Sequence, residues 1–199
     1  MKSKFFSVLA PVVIAASAML AVAQGAMAEE APRVKFATTA GDCVVEVYPD
    51  KAPKTVENFL QYVKDKHYDG TIFHRVIENF MVQGGGFDAQ YNQKKTRAPV
   101  NHEGREALAK GGSKNVVGTL AMARTNDPQS ATAQFFINVK DNAFLDPSPQ
   151  QFGYTVFGKV TSGMEVIQKI KATPTGAGGP FPSDVPKTPI LINSATLVK

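Results

Sequence analysis

From Val34 onward the chain is cut by turn residues into short apolar or alternating runs, and most of the spacers between them are too short for a crossover helix. The runs are "VKFATT", "CVVEVY", "IFHRVI", "FMVQGG", "TLAMAR", "QFFINV", "TVFGKV" and "PILINSATLV". Strands joined in this way must pair antiparallel, which predicts a mainly β fold, either a closed barrel or a sandwich.

Two stretches have helical periodicity instead. After "PDKAP", residues Val56, Phe59, Leu60 and Val63 recur along one helical face, with Pro53 suited to the first turn. At "SGME", Ser162 and Glu165 have capping-box spacing, and Met164, Val166, Ile167 and Ile170 supply an apolar face. The Pro- and Gly-rich segment 173–189 reads as a long surface connection to the last strand. Segment 97–112, "RAPVNHEGREALAKGG", has no clear periodicity and reads as a connection bordering any groove.

The first residues carry Lys2 and Lys4, then an apolar run, then Ala26-Met27-Ala28, the three-part pattern of a secretory signal peptide cleaved after Ala28. The expected organisation is therefore a signal peptide at 1–28 and one domain at 29–199, exported to the periplasm and without stable membrane association after cleavage. The remaining 171 residues hold 20 basic and 17 acidic side chains, interspersed, so nucleic-acid binding is not indicated. Cys43 is the only cysteine, so no intrachain disulfide can form. It shares a strand face with Val45 and Val47, which points to a buried, inert thiol.

Familiar chemistries fail on the residues present. No G-x-S-x-G occurs, and the serines sit in turn or cap contexts. His67, His74 and His102 are spaced by seven and twenty-eight residues, which matches no helical ligand pair, so neither a metal nor a cofactor is expected. "QGGG" lacks the G-K-[ST] of a phosphate loop. What remains is a strand pair in which Arg75 and Gln83 share a face with Phe73 or Met81, beside a further strand carrying Gln134 and Phe136. That is an apolar cup with a cationic rim.

"FHRVIENFMVQGG", "GTLAMAR", "SATAQFFIN", "NAFLD" and "FGYTVFGKV" together resemble the cyclophilin family of peptidyl-prolyl isomerases, in its periplasmic bacterial branch. The resemblance implies a closed eight-stranded antiparallel β-barrel capped by two α-helices, with a substrate groove on its outer face. It implies catalysis of rotation about X-Pro bonds by Arg75. It places Phe80, Met81, Phe136 and Leu145 in a proline pocket and Gln83, Ala123 and Gln134 against the peptide, with a main-chain donor near Arg124. His74 is expected to be structural support. The implied partners are proline-containing segments of unfolded or folding exported proteins.

Three substitutions stand out against that pattern. Phe144 occupies a rim position often held by tryptophan, a residue this chain lacks, so cyclosporin is expected to bind weakly. Tyr154 stands where many relatives have histidine and can still wall the pocket. Gly86 also replaces a common acidic residue. A non-catalytic proline-peptide binding module or chaperone is the alternative function. A lipocalin-like carrier is disfavoured, because Phe136, Ile137 and Val156 are large enough to fill a small barrel.

Overall fold

The computed structural model describes residues 30–198; the expected signal peptide, 1–28, lies outside them. In chain order the strands and helices are β1 Arg33–Thr38, β2 Gly41–Val47, α1 Pro53–Lys64, β3 Thr71–Ile72, β4 Arg75–Ile77, β5 Met81–Gly84, α2 Gly104–Ala109, β6 Thr119–Met122 and β7 Phe135–Asn138. A 3-10 turn at Ala143–Leu145 follows, then β8 Val156–Ser162, α3 Met164–Lys171, β9 Thr175–Gly178, β10 Phe181–Pro186 and β11 Leu191–Val198.

Nine strands form one sheet in the order β3-β11-β1-β2-β8-β6-β7-β5-β4, and every pairing is antiparallel. The strands at its two edges, β3 and β4, are consecutive in the chain with only Phe73 and His74 between them. The sheet is therefore strongly curled, its edges tethered by two residues of chain instead of by a ladder. The expected run "IFHRVI" is thus two strands, and the break decides side-chain direction. Phe73 enters the core, whereas strict alternation would have left it on the face of Arg75.

Inside the curl, Phe135 lies 5.3 Å from Phe36, 5.5 Å from Tyr68, 6.1 Å from Phe59 and 6.3 Å from Phe73, ring centre to ring centre. Phe157, Leu120, Ile137 and Val82 join them, so the interior is a packed core. Phe136 and Val156, expected to help fill it, belong to a second apolar cluster on the opposite face of the sheet; of the three, only Ile137 points inward. Cys43 is buried beside Val45 and Val47, where burial and the charge of Asp42 push its thiol pKa up to about 12, so it stays protonated and inert.

Helix α1 buries Val56, Phe59, Tyr62 and Val63, with Leu60 half-buried against the same core. Its N-terminus has no local side-chain cap. Glu103 supplies one from a distance: its carboxylate accepts bonds from the Lys54 and Thr55 N–H groups at 3.2 and 2.7 Å and from the Thr55 hydroxyl at 2.8 Å. Segment 97–112 therefore does more than connect, and it also contains the short helix α2. Helix α3 buries Val166, Ile167 and Ile170, but the Ser162–Glu165 capping box does not form, because Ser162 still belongs to β8 and Gly163 is the capping residue. Segment 173–189 is an ordered hairpin, β9 against β10, and not an irregular connection.

Phe135→Ala removes the ring at the centre of the aromatic core and is expected to cost about 3–5 kcal/mol of stability. Urea unfolding should show this as a lower midpoint with an unchanged slope.

Candidate active site

The antiparallel ladder writes the site across the sheet. Arg75 on β4 is opposite Gln83 on β5, Gln83 is opposite Phe136 on β7, and Phe136 is opposite Ala121 on β6. Residues paired directly across a sheet share a face, so this row crosses the outer surface. Beside it, Met81 lies two residues from Gln83 and so shares its face. Met81, Ala121, Phe136, Leu145 and Val156 form the second apolar cluster, with Phe80, Ala123 and Tyr154 packed around it. Strands β6 and β7 read as continuous apolar runs because both of their faces are covered.

The cluster floors a cleft of about 340 Å³. Its lining brings together Arg75, Gln83, Gln134, Ala123 and Arg124 with Phe80, Met81, Phe136, Leu145 and Tyr154. Phe144 is the expected site residue that the lining does not include. It is 66% exposed and stacks on Phe80 at 5.6 Å, so it extends the rim without walling the cleft. Phe87 and Phe181 also line the cleft and were not expected to.

No carboxylate among the described residues pairs with Arg75. Its Nη1 instead points to Gln83 Oε1 at 3.5 Å, a weak contact, and Gln83 Nε2 donates to Gln134 Oε1 at 2.9 Å. Most of the guanidinium's donors thus have no protein partner among the described residues. Arg124 is committed elsewhere: Nε and Nη2 donate to the Gly153 carbonyl at 3.0 and 2.8 Å, and the cation lies 4.6 Å from the centre of the Tyr154 ring. That holds Tyr154 edge-on to Phe136 at 5.5 Å. The Arg124 side chain is therefore a brace for the pocket wall.

His74 is buried between Phe87 at 4.7 Å and Phe181 at 5.4 Å, and its Nδ1 has no hydrogen-bond partner. Burial, aided by the neighbouring Arg75 charge, lowers its pKa to about 4, so the ring is neutral at neutral pH. Of the usual metal-ligating side chains the cleft lining holds only this one. A fixed cation, amide donors and apolar walls can hold and polarise a peptide; none of them is a nucleophile.

These features define a curled-sheet protein with an apolar, cation-edged peptide cleft. Residues 33–197 match the family described as Cyclophilin type peptidyl-prolyl cis-trans isomerase/CLD. The chain is 54% identical over 168 residues to peptidyl-prolyl cis-trans isomerase cyp18 of Streptomyces antibioticus, covering 83% of this chain and 98% of that one. It is 52% identical over 167 residues to peptidyl-prolyl cis-trans isomerase B of Escherichia coli, covering 82% and 98%. A cyclophilin-type isomerase of Cryptosporidium parvum, solved in the presence of the dipeptide ala-pro, shares the fold with a TM-score of 0.66 at 24% identity, over 84% of this chain and 99% of that one. The chain belongs to the cyclophilin-type peptidyl-prolyl cis-trans isomerases.

Gly86 has a reason in the same network. A Cβ placed there would lie 2.5 Å from Cγ of Gln134, so any larger residue must push that side chain aside. Gly86→Ala is expected to break the Gln83–Gln134 bond and lower kcat/KM roughly two- to tenfold, the worth of one such hydrogen bond. The melting temperature should barely move, because Gln134 can swing toward solvent.

Proposed function

We propose that Arg75 is the catalytic residue of this isomerase and that it acts by hydrogen-bonding the imide nitrogen of an X-Pro bond as the bond twists. The observation that carries this reading is the convergence of an unpaired guanidinium and an apolar cup on one cleft. A planar X-Pro amide resists rotation by roughly 18–20 kcal/mol because nitrogen shares its lone pair with the carbonyl. On twisting, the nitrogen becomes pyramidal and regains a localised pair that accepts a hydrogen bond the ground state accepts poorly. A guanidinium fixed beside it binds the transition state in preference, which is what lowers a barrier. No bond to carbon breaks and no proton is transferred, so no nucleophile or base is required.

The apolar residues take the other half of the work. Phe80, Met81, Phe136 and Leu145 grip the pyrrolidine ring while the preceding carbonyl swings, and they lower the local dielectric around the charged hydrogen bond. Gln83, steadied by Gln134, limits the excursions of Arg75, and the main chain at Ala123–Arg124 lies along the cleft where an extended peptide passes. His74 contributes packing as a neutral ring. An ala-pro dipeptide accompanied the Cryptosporidium parvum relative. Proline-containing peptides are the ligand class we assign to the present cleft as well.

Residues 1–28 we read as a signal peptide cleaved after Ala28, from their lysines, apolar run and small-residue site. The clients are then folding segments of exported proteins in the periplasm, where slow proline isomerisation limits folding.

Arg75→Lys keeps the charge but loses the planar fork, and is expected to lower kcat/KM about 10²- to 10³-fold in a protease-coupled assay on a proline tetrapeptide. Undiminished turnover would remove Arg75 from the mechanism. With a small phenyl ring stacked on Phe80 and no indole N–H at the rim, cyclosporin should bind weakly while isomerase activity is retained. Titration calorimetry checks this, and a tight complex contradicts it.

A further inference from the structure

The cleft extends past Arg75, away from the cluster that holds Phe136, onto a wall the sheet does not build. Phe181, at the start of β10, lines it together with Phe87 and the edge of His74. The three rings pack closely, with Phe181 5.1 Å from Phe87 and 5.4 Å from His74, and Tyr91 6.4 Å from Phe181. The hairpin that carries Phe181 pairs only with itself, β10 against β9, and its ends are tied by the Lys187 N–H donating to the Pro174 carbonyl at 2.9 Å. Its turn is pinned as well. Gly179 has φ of +51, and a Cβ there would meet Tyr91 Cγ at 2.3 Å, so the turn rests directly on that ring. Phe181 is thus held in place, half-buried, with a face left to the cleft.

We infer that Phe181, with Phe87 and His74, forms a specificity subsite for a large apolar side chain of the peptide, one or two residues from the proline. The inference rests on the isomerase reading above and adds the sequence preference of the same site. An extended peptide rises about 3.3 Å per residue, so the side chains nearest the proline are the ones that reach across Arg75 to this wall. Its chemistry selects among them. The wall offers ring faces and no free hydrogen-bonding atom, since the unpartnered Nδ1 of His74 lies buried beneath the other rings. A lysine or arginine there would lose water beside the like charge of Arg75 with only a ring face to replace it, whereas an aromatic or large aliphatic side chain loses only its exposed surface.

The test is exchange spectroscopy on single-proline peptides that carry phenylalanine, alanine or glutamate in turn at the two positions on either side of the proline. The wild-type protein is expected to favour phenylalanine over alanine in kcat/KM by on the order of three- to tenfold at one of these positions. Phe181→Ala should bring that ratio close to one, and Phe181→Leu should restore most of it. Phe181→Lys, read by the same ratios in whatever fraction folds, should turn the preference toward glutamate at that position alone. If wild type turns over all the peptides but shows no apolar preference, or if the ratio survives Phe181→Ala, the subsite is absent and the rings only anchor the hairpin. A wild-type protein inactive on every peptide would instead overturn the isomerase reading itself.

Discussion

The register of β4, β5 and β7 is the constraint on which the site depends. Because Arg75 pairs with Gln83 and Gln83 with Phe136, one cross-strand row sets a cation, an amide and an aromatic ring side by side on the outer face. The inner partners of the same strands, Val76, Val82, Phe135 and Ile137, enter the core. A slip of one residue would exchange the two sets, burying a guanidinium in the aromatic interior and exposing the core rings. The packing that stabilises the fold therefore also fixes the position of the arginine.

That arrangement explains how a cation can be held beside greasy side chains without being neutralised. Arg75 stays solvated at the mouth of the cleft, so it bears little desolvation cost, and among the described residues its side chain hydrogen-bonds only a neutral amide. A carboxylate partner would have anchored it better and spent the donors that the proposed mechanism needs. The relay through Gln83 to Gln134 supplies orientation without counter-charge, and Gly86 leaves room for it. Arg124 shows the contrasting use of the same residue type: its three nitrogens donate to the Gly153, Thr125 and Asn126 carbonyls, and its cation packs on Tyr154.

Alternation is enough to place Arg75, Gln83, Gln134 and Phe136 together in the sequence, because all four lie on or beside strands whose period survives folding. It fails where the period is interrupted. Phe73 turns inward at the break between β3 and β4, and Phe80 reaches the cleft from a turn, where only the family resemblance pointed. Which face of a doubly buried strand meets which cluster is also invisible to pattern, and this is why Phe136 and Val156 looked like barrel filling. Phe181 and the hairpin around it were hidden by proline and glycine, which signal turns whether or not the segment pairs. The six residues of α2 bury too little to leave a stripe, and the cap that Glu103 gives to α1 joins residues about fifty positions apart in the chain.

The most direct measurement separates binding from turning in one experiment. Nuclear magnetic resonance line shapes of a proline peptide, titrated with wild type and with Arg75→Ala, give affinity and catalysed exchange independently. If the cation acts on the twisted state, the variant should bind the peptide within a few-fold of wild type while exchange in the saturated complex slows by about two orders of magnitude or more. Exchange as fast in the variant as in wild type, at equal saturation, would contradict the account.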